Sequence, residues 1–162
     1  MGSDNYVVIV FAPNFPPYIS SNRNNTLDDL QKIVGGYLER VPNEIVNYRQ
    51  DLDFKMLLKE LLKKKTTTIY CNESATIDDE VNKNIFTLYG CLYGTIIVEV
   101  KEKVFNNWYN KFNIYIPTFD NNFHKKYFTT QEKIALMKMG RNSIINNYLL
   151  QKVFIKRLSL DK

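Results

Sequence analysis

Two adjacent glycines, Gly35-Gly36, constrain this chain more than any other feature. Inside a helix such a pair costs about 2 kcal/mol relative to alanine. At a helix end it is favourable, because one glycine can take the left-handed C′ position. The residues before the pair are helical by pattern. Leu27, Leu30 and Val34 recur at i, i+3 and i+7, the stripe of a core-facing helix. Thr26 is placed to cap the first turn, with Asp29 in the position of a capping-box acid. Asp28 and Asp29 put negative charge at the positive end of the helix dipole. After the glycines, Tyr37, Glu39 and Val41 alternate with Leu38 and Arg40, a strand period. The reading is helix 27–34, turn 35–36, strand 37–41; the alternative is one longer helix running through the glycines.

The remaining segments are read in the same way. Val7-Val8-Ile9-Val10-Phe11 is a run of β-formers and reads as a buried strand, broken by Pro13, Pro16 and Pro17. Residues 51–65 carry a wide apolar stripe (Leu52, Met56 or Phe54, Leu57, Leu58, Leu61, Leu62) ending in Lys63-Lys64-Lys65, which reads as a solvated helix C-terminus, with a phosphate-binding patch as the alternative. Thr66 to Cys71 reads as a strand and Asn72 to Ala75 as its turn. Asp78-Asp79-Glu80 reads as a helix N-terminus opening a segment that runs to Tyr89. Gly94 to Val100 is the strongest strand, followed by a short helix carrying Val104, Phe105, Trp108, Tyr109 and Phe112. Residues 113–119 read as extended, and Thr129 with Glu132 as a second capping box opening a helix. Residues 153–160 are a strand or a tail. The fold class is therefore α+β: a single mixed, largely antiparallel sheet of strands 6–11, 37–41, 66–71 and 94–100, with helices packed on it and a basic helical C-terminal arm.

Charge is unevenly distributed along the 162 residues, whose net charge is +5. From Asn121 onward nine Lys/Arg stand against Glu132 and Asp161, whereas residues 1–120 carry thirteen Lys/Arg and fifteen Asp/Glu. The whole positive excess belongs to the arm. Its cations Lys125, Lys126, Lys133, Lys138, Arg141, Lys152, Lys156 and Arg157 alternate with Tyr127, Phe128, Tyr148 and Phe154. Phosphate contacts plus stacking rings suit single strands or RNA. The bland reading is that these rings are core and the lysines solvate a docking helix.

By Gly94 the pattern resembles a small uncharacterised family spread among phages, bacterial mobile elements and large DNA viruses. The residues that carry it are Leu30-Gln31-x-x-Val34-Gly35-Gly36-Tyr37-x-Glu39, then Ile69-Tyr70-Cys71-Asn72-Glu73, Asn84, and Gly94-Thr95-Ile96-Ile97-Val98. The family has Glu-Gly after Asn-Glu, where this chain has Ser74-Ala75. The match covers about residues 6–102. It implies a compact α+β core over 1–102, with 43–65 as an insertion and 103–162 as an aromatic, basic, mainly helical extension. Asn84 is then a loop residue and Gly94 the start of the last strand. The resemblance implies a viral or mobile-element origin and no activity.

Sites for chemistry are sparse. His124 is the single histidine, so any triad must use it. Gly35-Gly36 precedes a strand, the reverse of the order that aims helix amides at phosphate. Glu39 and Glu73 on neighbouring strands are the one candidate carboxylate pair. Cys71 and Cys91 fit no zinc spacing and read as buried reduced thiols of an intracellular protein, in host cytoplasm or virion. No secretory leader, membrane span, metal or cofactor is expected. These features favour a non-enzymatic accessory protein that acts as a protein-interaction module, with self-association open. A nucleic-acid binder using the basic arm is the alternative, and a small enzyme with an unrecognised site is the second. The structural motif is Thr26, Leu30, Gly35, Gly36, Tyr37 and Gly94.

Overall fold

The computed structural model describes residues 5–13, 17–21, 26–49, 55–76, 80–112, 116 and 118–119. The elements in order are β1 (Tyr6–Phe11), β2 (Tyr18–Ser20), α1 (Leu27–Val34), β3 (Leu38–Val41), a 3-10 turn (Asn43–Ile45) and β4 (Val46–Tyr48). Then come α2 (Lys55–Leu62), β5 (Thr68–Asn72), β6 (Val81–Thr87), β7 (Gly90–Tyr93), β8 (Ile96–Lys101), α3 (Glu102–Tyr109) and β9 (Thr118–Phe119). The predicted helix 27–34 is present at those bounds and ends at Gly35, whose φ is +89°. The chain does return as a strand.

The main sheet runs β3-β5-β8-β1-β2-β9. All its pairings are antiparallel except the parallel pair of β2 with β9. The four strands expected to share a sheet do so. Strands β1 and β8 are central: β1 is apolar toward both faces, and β8 turns Ile96, Val98 and Val100 to one face and Ile97, with the half-buried Glu99, to the other, so the pair is covered twice. Ile96, Val98 and Val100 belong to one core with Ile9, Phe11, Val41 and Ile69. Ile97 belongs to the other, with Val8, Val10, Tyr18 and the helix residues Leu30, Ile33 and Val34. Helix α1 therefore covers one face, while α2, α3 and a second sheet cover the opposite one.

That second sheet corrects the expectation of a single one. It has the order β4-β6-β7. The segment read as an acidic helix is β6, and its alternation is carried by asparagine: Asn82 and Asn84 are buried while Val81 and Lys83 face out. Hydrophobic periodicity cannot register an inward-facing Asn. Asn82 stands in because its amide is saturated. It donates to the Phe11 carbonyl at 2.7 Å and the Gly94 carbonyl at 2.9 Å, and accepts from Asn84 N and Ile85 N at 3.0 Å each. The β6–β7 ladder shifts register between Val81 and Phe86, across those inward asparagines. Asn84, expected in a loop, is thus a strand residue. Gly94, expected to start the last strand, instead lies two residues before β8, which β9 follows, and it needs glycine, with φ +76°.

The segment 43–65 contributes to the core through Leu57, Leu58 and Leu61, with Ile45, Val46, Tyr48 and Leu62 packed against it. Leu57, Leu58 and Leu61 of α2 are fully buried, a gain of roughly 1.5–3 kcal/mol each. The extended reading of 113–119 is described only at Ile116, Thr118 and Phe119, the last two forming β9. Helix and strand expectations beyond residue 119 lie outside the described residues. No helix among the described residues is long and apolar enough to cross a membrane.

Candidate functional site

The pieces of sequence singled out around the glycine pair meet in space. Thr26 Oγ1 accepts from Asp29 N at 3.2 Å, and Asp29 Oδ2 accepts from Thr26 N at 3.0 Å, completing the capping box with Asp in place of Glu. Leu30 seats the helix in the core. At the other end Gly35 N and Gly36 N both donate to the Gln31 carbonyl, at 2.8 and 3.1 Å. Gly36 is glycine because of Asn72. A Cβ there would lie 2.6 Å from Asn72 Oδ1. That amide is committed twice, donating to the Val34 carbonyl at 3.4 Å and accepting from Ser74 N at 2.9 Å. Glu73 N then donates to the Tyr37 carbonyl at 2.8 Å. Asn72 is thus the joint between the helix end and β5, and no periodicity in the sequence signals that role.

The Tyr37–Glu73 bond fixes which backbone groups of β3 point where. Hydrogen-bonded and non-bonded pairs alternate in an antiparallel ladder. With register Leu38↔Asn72, Glu39↔Cys71, Arg40↔Tyr70 and Val41↔Ile69, Glu39 and Val41 bond β5. Leu38 and Arg40 turn their N–H and C=O away from it. Among the described residues β3 pairs on one side only. Pro42 ends this open edge, having no N–H, and its carbonyl is taken by Ile45 N. Beside the edge lies a groove of about 320 Å³ lined by Asp28, Gln31, Lys32, Gly36 and Tyr37. Tyr37 is 70 % exposed, and Leu27 is exposed at the start of α1.

The other candidates fare differently. Glu39 lies opposite Cys71, and Glu73 opposite Tyr37, so the two carboxylates are diagonal neighbours rather than a facing pair, and both are exposed. Of the two thiols read as buried, Cys71 is buried and Cys91 is exposed, because β7 is an outer strand of the small sheet. Burial, reinforced by the Glu39 charge, pushes the Cys71 thiol up to about 11. That keeps it protonated and inert. Burial raises the Glu99 carboxyl above its ordinary range; burial and then the Glu99 charge raise the Tyr70 hydroxyl. Neither shift activates a nucleophile. Among the described residues no three His, Cys, Asp or Glu side chains converge to hold a metal ion.

His124 lies outside the described residues, as do Lys125, Lys126, Lys133, Lys138, Arg141, Lys152, Lys156 and Arg157. The motif residues, by contrast, are spread along α1, with Thr26 at its start, Leu30 in its middle and Gly35, Gly36 and Tyr37 at its end, whereas Gly94 is held with Asn82 at the small sheet. No protein-family model, curated protein or solved structure matches this chain.

Proposed function

We propose that this protein is a non-enzymatic interaction module, an accessory protein of a virus or mobile element, that self-associates by adding β3 of one copy to β3 of another. The observation that carries this reading is the open edge of β3. Its outward Leu38 and Arg40 backbone groups lie beside the Tyr37–α1 groove. Strand addition beside a groove is a recurring mode of recognition, in which the backbone gives affinity and alternate side chains give specificity.

Charge selects one two-fold register. Centring the pair on Leu38 sets Leu38 against the partner's Leu38, Glu39 against the partner's Tyr37 and Gly36 against the partner's Arg40. Centring it on Glu39 or Arg40 sets like charges face to face, which is unfavourable. In the Leu38 register Arg40 of the partner subunit comes to the groove that Asp28, Gln31 and Lys32 line, where Asp28 is the carboxylate to meet it and Lys32 the like charge it must avoid. The edge is four residues long, charged and closed by Pro42, features that disfavour indiscriminate pairing.

Sedimentation across concentration, combined with amide exchange, tests this. Mass is expected to rise with concentration. The Leu38 and Arg40 amides gain protection in step with it, while Glu39 and Val41 are protected throughout. Arg40→Asp is expected to weaken association and Asp28→Arg in the same chain to restore it. A monomer at every concentration, or association that leaves the Leu38 and Arg40 amides exchanging freely, overturns the reading.

A further inference from the structure

On the opposite face of the molecule, the end of α2 forms a second site that rests on different observations. The turn after Leu62 carries Lys63-Lys64-Lys65 and is rigidly built. Lys63 N and Lys64 N donate to the Glu60 and Leu61 carbonyls at 3.3 and 3.1 Å, and Thr67 N donates to the Lys64 carbonyl at 3.1 Å. The Asn43 side-chain amide reaches in from the 3-10 turn. Its Nδ2 lies 3.2 Å from the Leu62 carbonyl, 3.4 Å from that of Lys64 and 3.0 Å from that of Thr67. Between this turn and β4 is a groove of about 380 Å³, whose walls include Val46, Tyr48, Lys59 and the three lysines.

The groove continues onto α3 through Lys64. Lys64 Nζ lies 5.8 Å from the centroid of the Trp108 ring, and Lys111 Nζ lies 4.4 Å from it. One half-buried indole therefore carries two ammonium groups. Cation–π attraction favours each of them singly, but their mutual repulsion does not. Five lysines line the strip, and its carboxylates are Glu44, at the groove wall, and Glu60, which is committed to Lys63 at 3.2 Å. Two ammonium groups sit over the Trp108 ring, and the adjoining concavity is lined by four lysines and the Tyr48 ring. This arrangement pairs sites for phosphate with faces for bases.

We propose that this strip, from Tyr48 past Lys63–Lys65 to Trp108 and Lys111, is a binding site for single-stranded nucleic acid. The lysines take the phosphates, and the Tyr48 and Trp108 rings take unstacked bases. A duplex offers phosphates but keeps its bases stacked inward, so it gains nothing from the two rings. Its residues are distinct from those of the β3 edge and all lie before residue 112.

Trp108 is the only tryptophan of the chain, so its emission reports on this site alone. The test titrates the full-length protein with an oligothymidylate of about 15 nucleotides, reading tryptophan emission together with the anisotropy of a labelled strand. The expected result is saturable quenching that tracks the anisotropy, with affinity falling steeply as salt rises. The triple variant Lys64→Gln/Lys65→Gln/Lys111→Gln alters exposed side chains only. It is expected to melt like the parent, bind at least tenfold more weakly, and show a log–log salt slope shallower by about 2. The matching Lys→Arg triple variant should retain binding. Anisotropy that rises while emission stays fixed places binding elsewhere in the chain and overturns the proposal, as does parent-like binding by the Gln variant. Equal binding of a duplex of the same length, or equal quenching by polyglutamate, also overturns it.

Discussion

At the scale of single residues, the two glycines that organise the chain are required for different reasons, and this separates their substitutions. Gly35 is held by its dihedral, φ +89°. Gly35→Ala is expected to cost about 1–2 kcal/mol, and Gly35→Asn less, because Asn tolerates the left-handed region. Gly36 is held by the closeness of Asn72, since a Cβ there would lie 2.6 Å from Asn72 Oδ1. Gly36→Ala forces that amide off its two partners and is expected to cost about 1–3 kcal/mol. Adding Asn72→Ala removes the obstacle, so denaturant melts of the two single variants and the double should be non-additive, the double less destabilised than the sum. Additive losses would mean that Gly36 is constrained by something other than Asn72. A chemical prediction belongs here too. With its pKa pushed up to about 11 and its side chain buried, Cys71 is expected to resist alkylation at pH 8, while exposed Cys91 reacts. Mass spectrometry of the folded protein should find one label, on Cys91, and two labels after unfolding.

At the scale of elements, the small sheet depends on Asn82, a side chain 1 % exposed that makes four hydrogen bonds. Asn82→Ala leaves two carbonyls and two amides without their partner and is expected to cost about 2–4 kcal/mol. A thermal melt within a degree or two of the parent would contradict this. The same residue marks where the sequence stopped being legible. Helix α1, its cap and its glycine stop were readable because each leaves a local chemical signature. So were β1 and β8, whose apolar runs are unambiguous. Strand β6 was not. Three acids ahead of it mimic a helix start, and its inward positions carry amides whose partners, Phe11 and Gly94, are distant in sequence. The open edge of β3 was equally invisible, since being an edge is a property of the strand order and not of four residues. Lys63-Lys64-Lys65 read as a helix end, and they are one. The presence of Trp108 beside them follows only from packing α2 against α3.

For the molecule as a whole, stability should carry a pH signature from Glu99. Its folded-state pKa is raised by burial. Between the unfolded value and that raised value the folded state holds more protons, so stability falls as pH rises through this window. Glu99→Gln removes the ionisation. It is expected to raise the melting temperature at pH 7 by more than at pH 4, which paired melts would show; the opposite ordering would contradict it. The pairing of β1 with β8 has a further consequence, for the order of events during synthesis. Ile9 pairs with Val98 at the middle of the main sheet, so the first strand made waits for one of the last in this core. At about 5–20 residues per second, the intervening chain of roughly 90 residues takes about 5–20 s to appear. For that interval Val7-Val8-Ile9-Val10-Phe11 has β2 available on one edge and nothing from β8 on the other, a short, uncharged, proline-free β-forming segment. A nascent chain of this protein is therefore expected to be held by factors that shield apolar segments at the ribosome until Lys101 has cleared the exit tunnel, which crosslinking of stalled chains of increasing length would show.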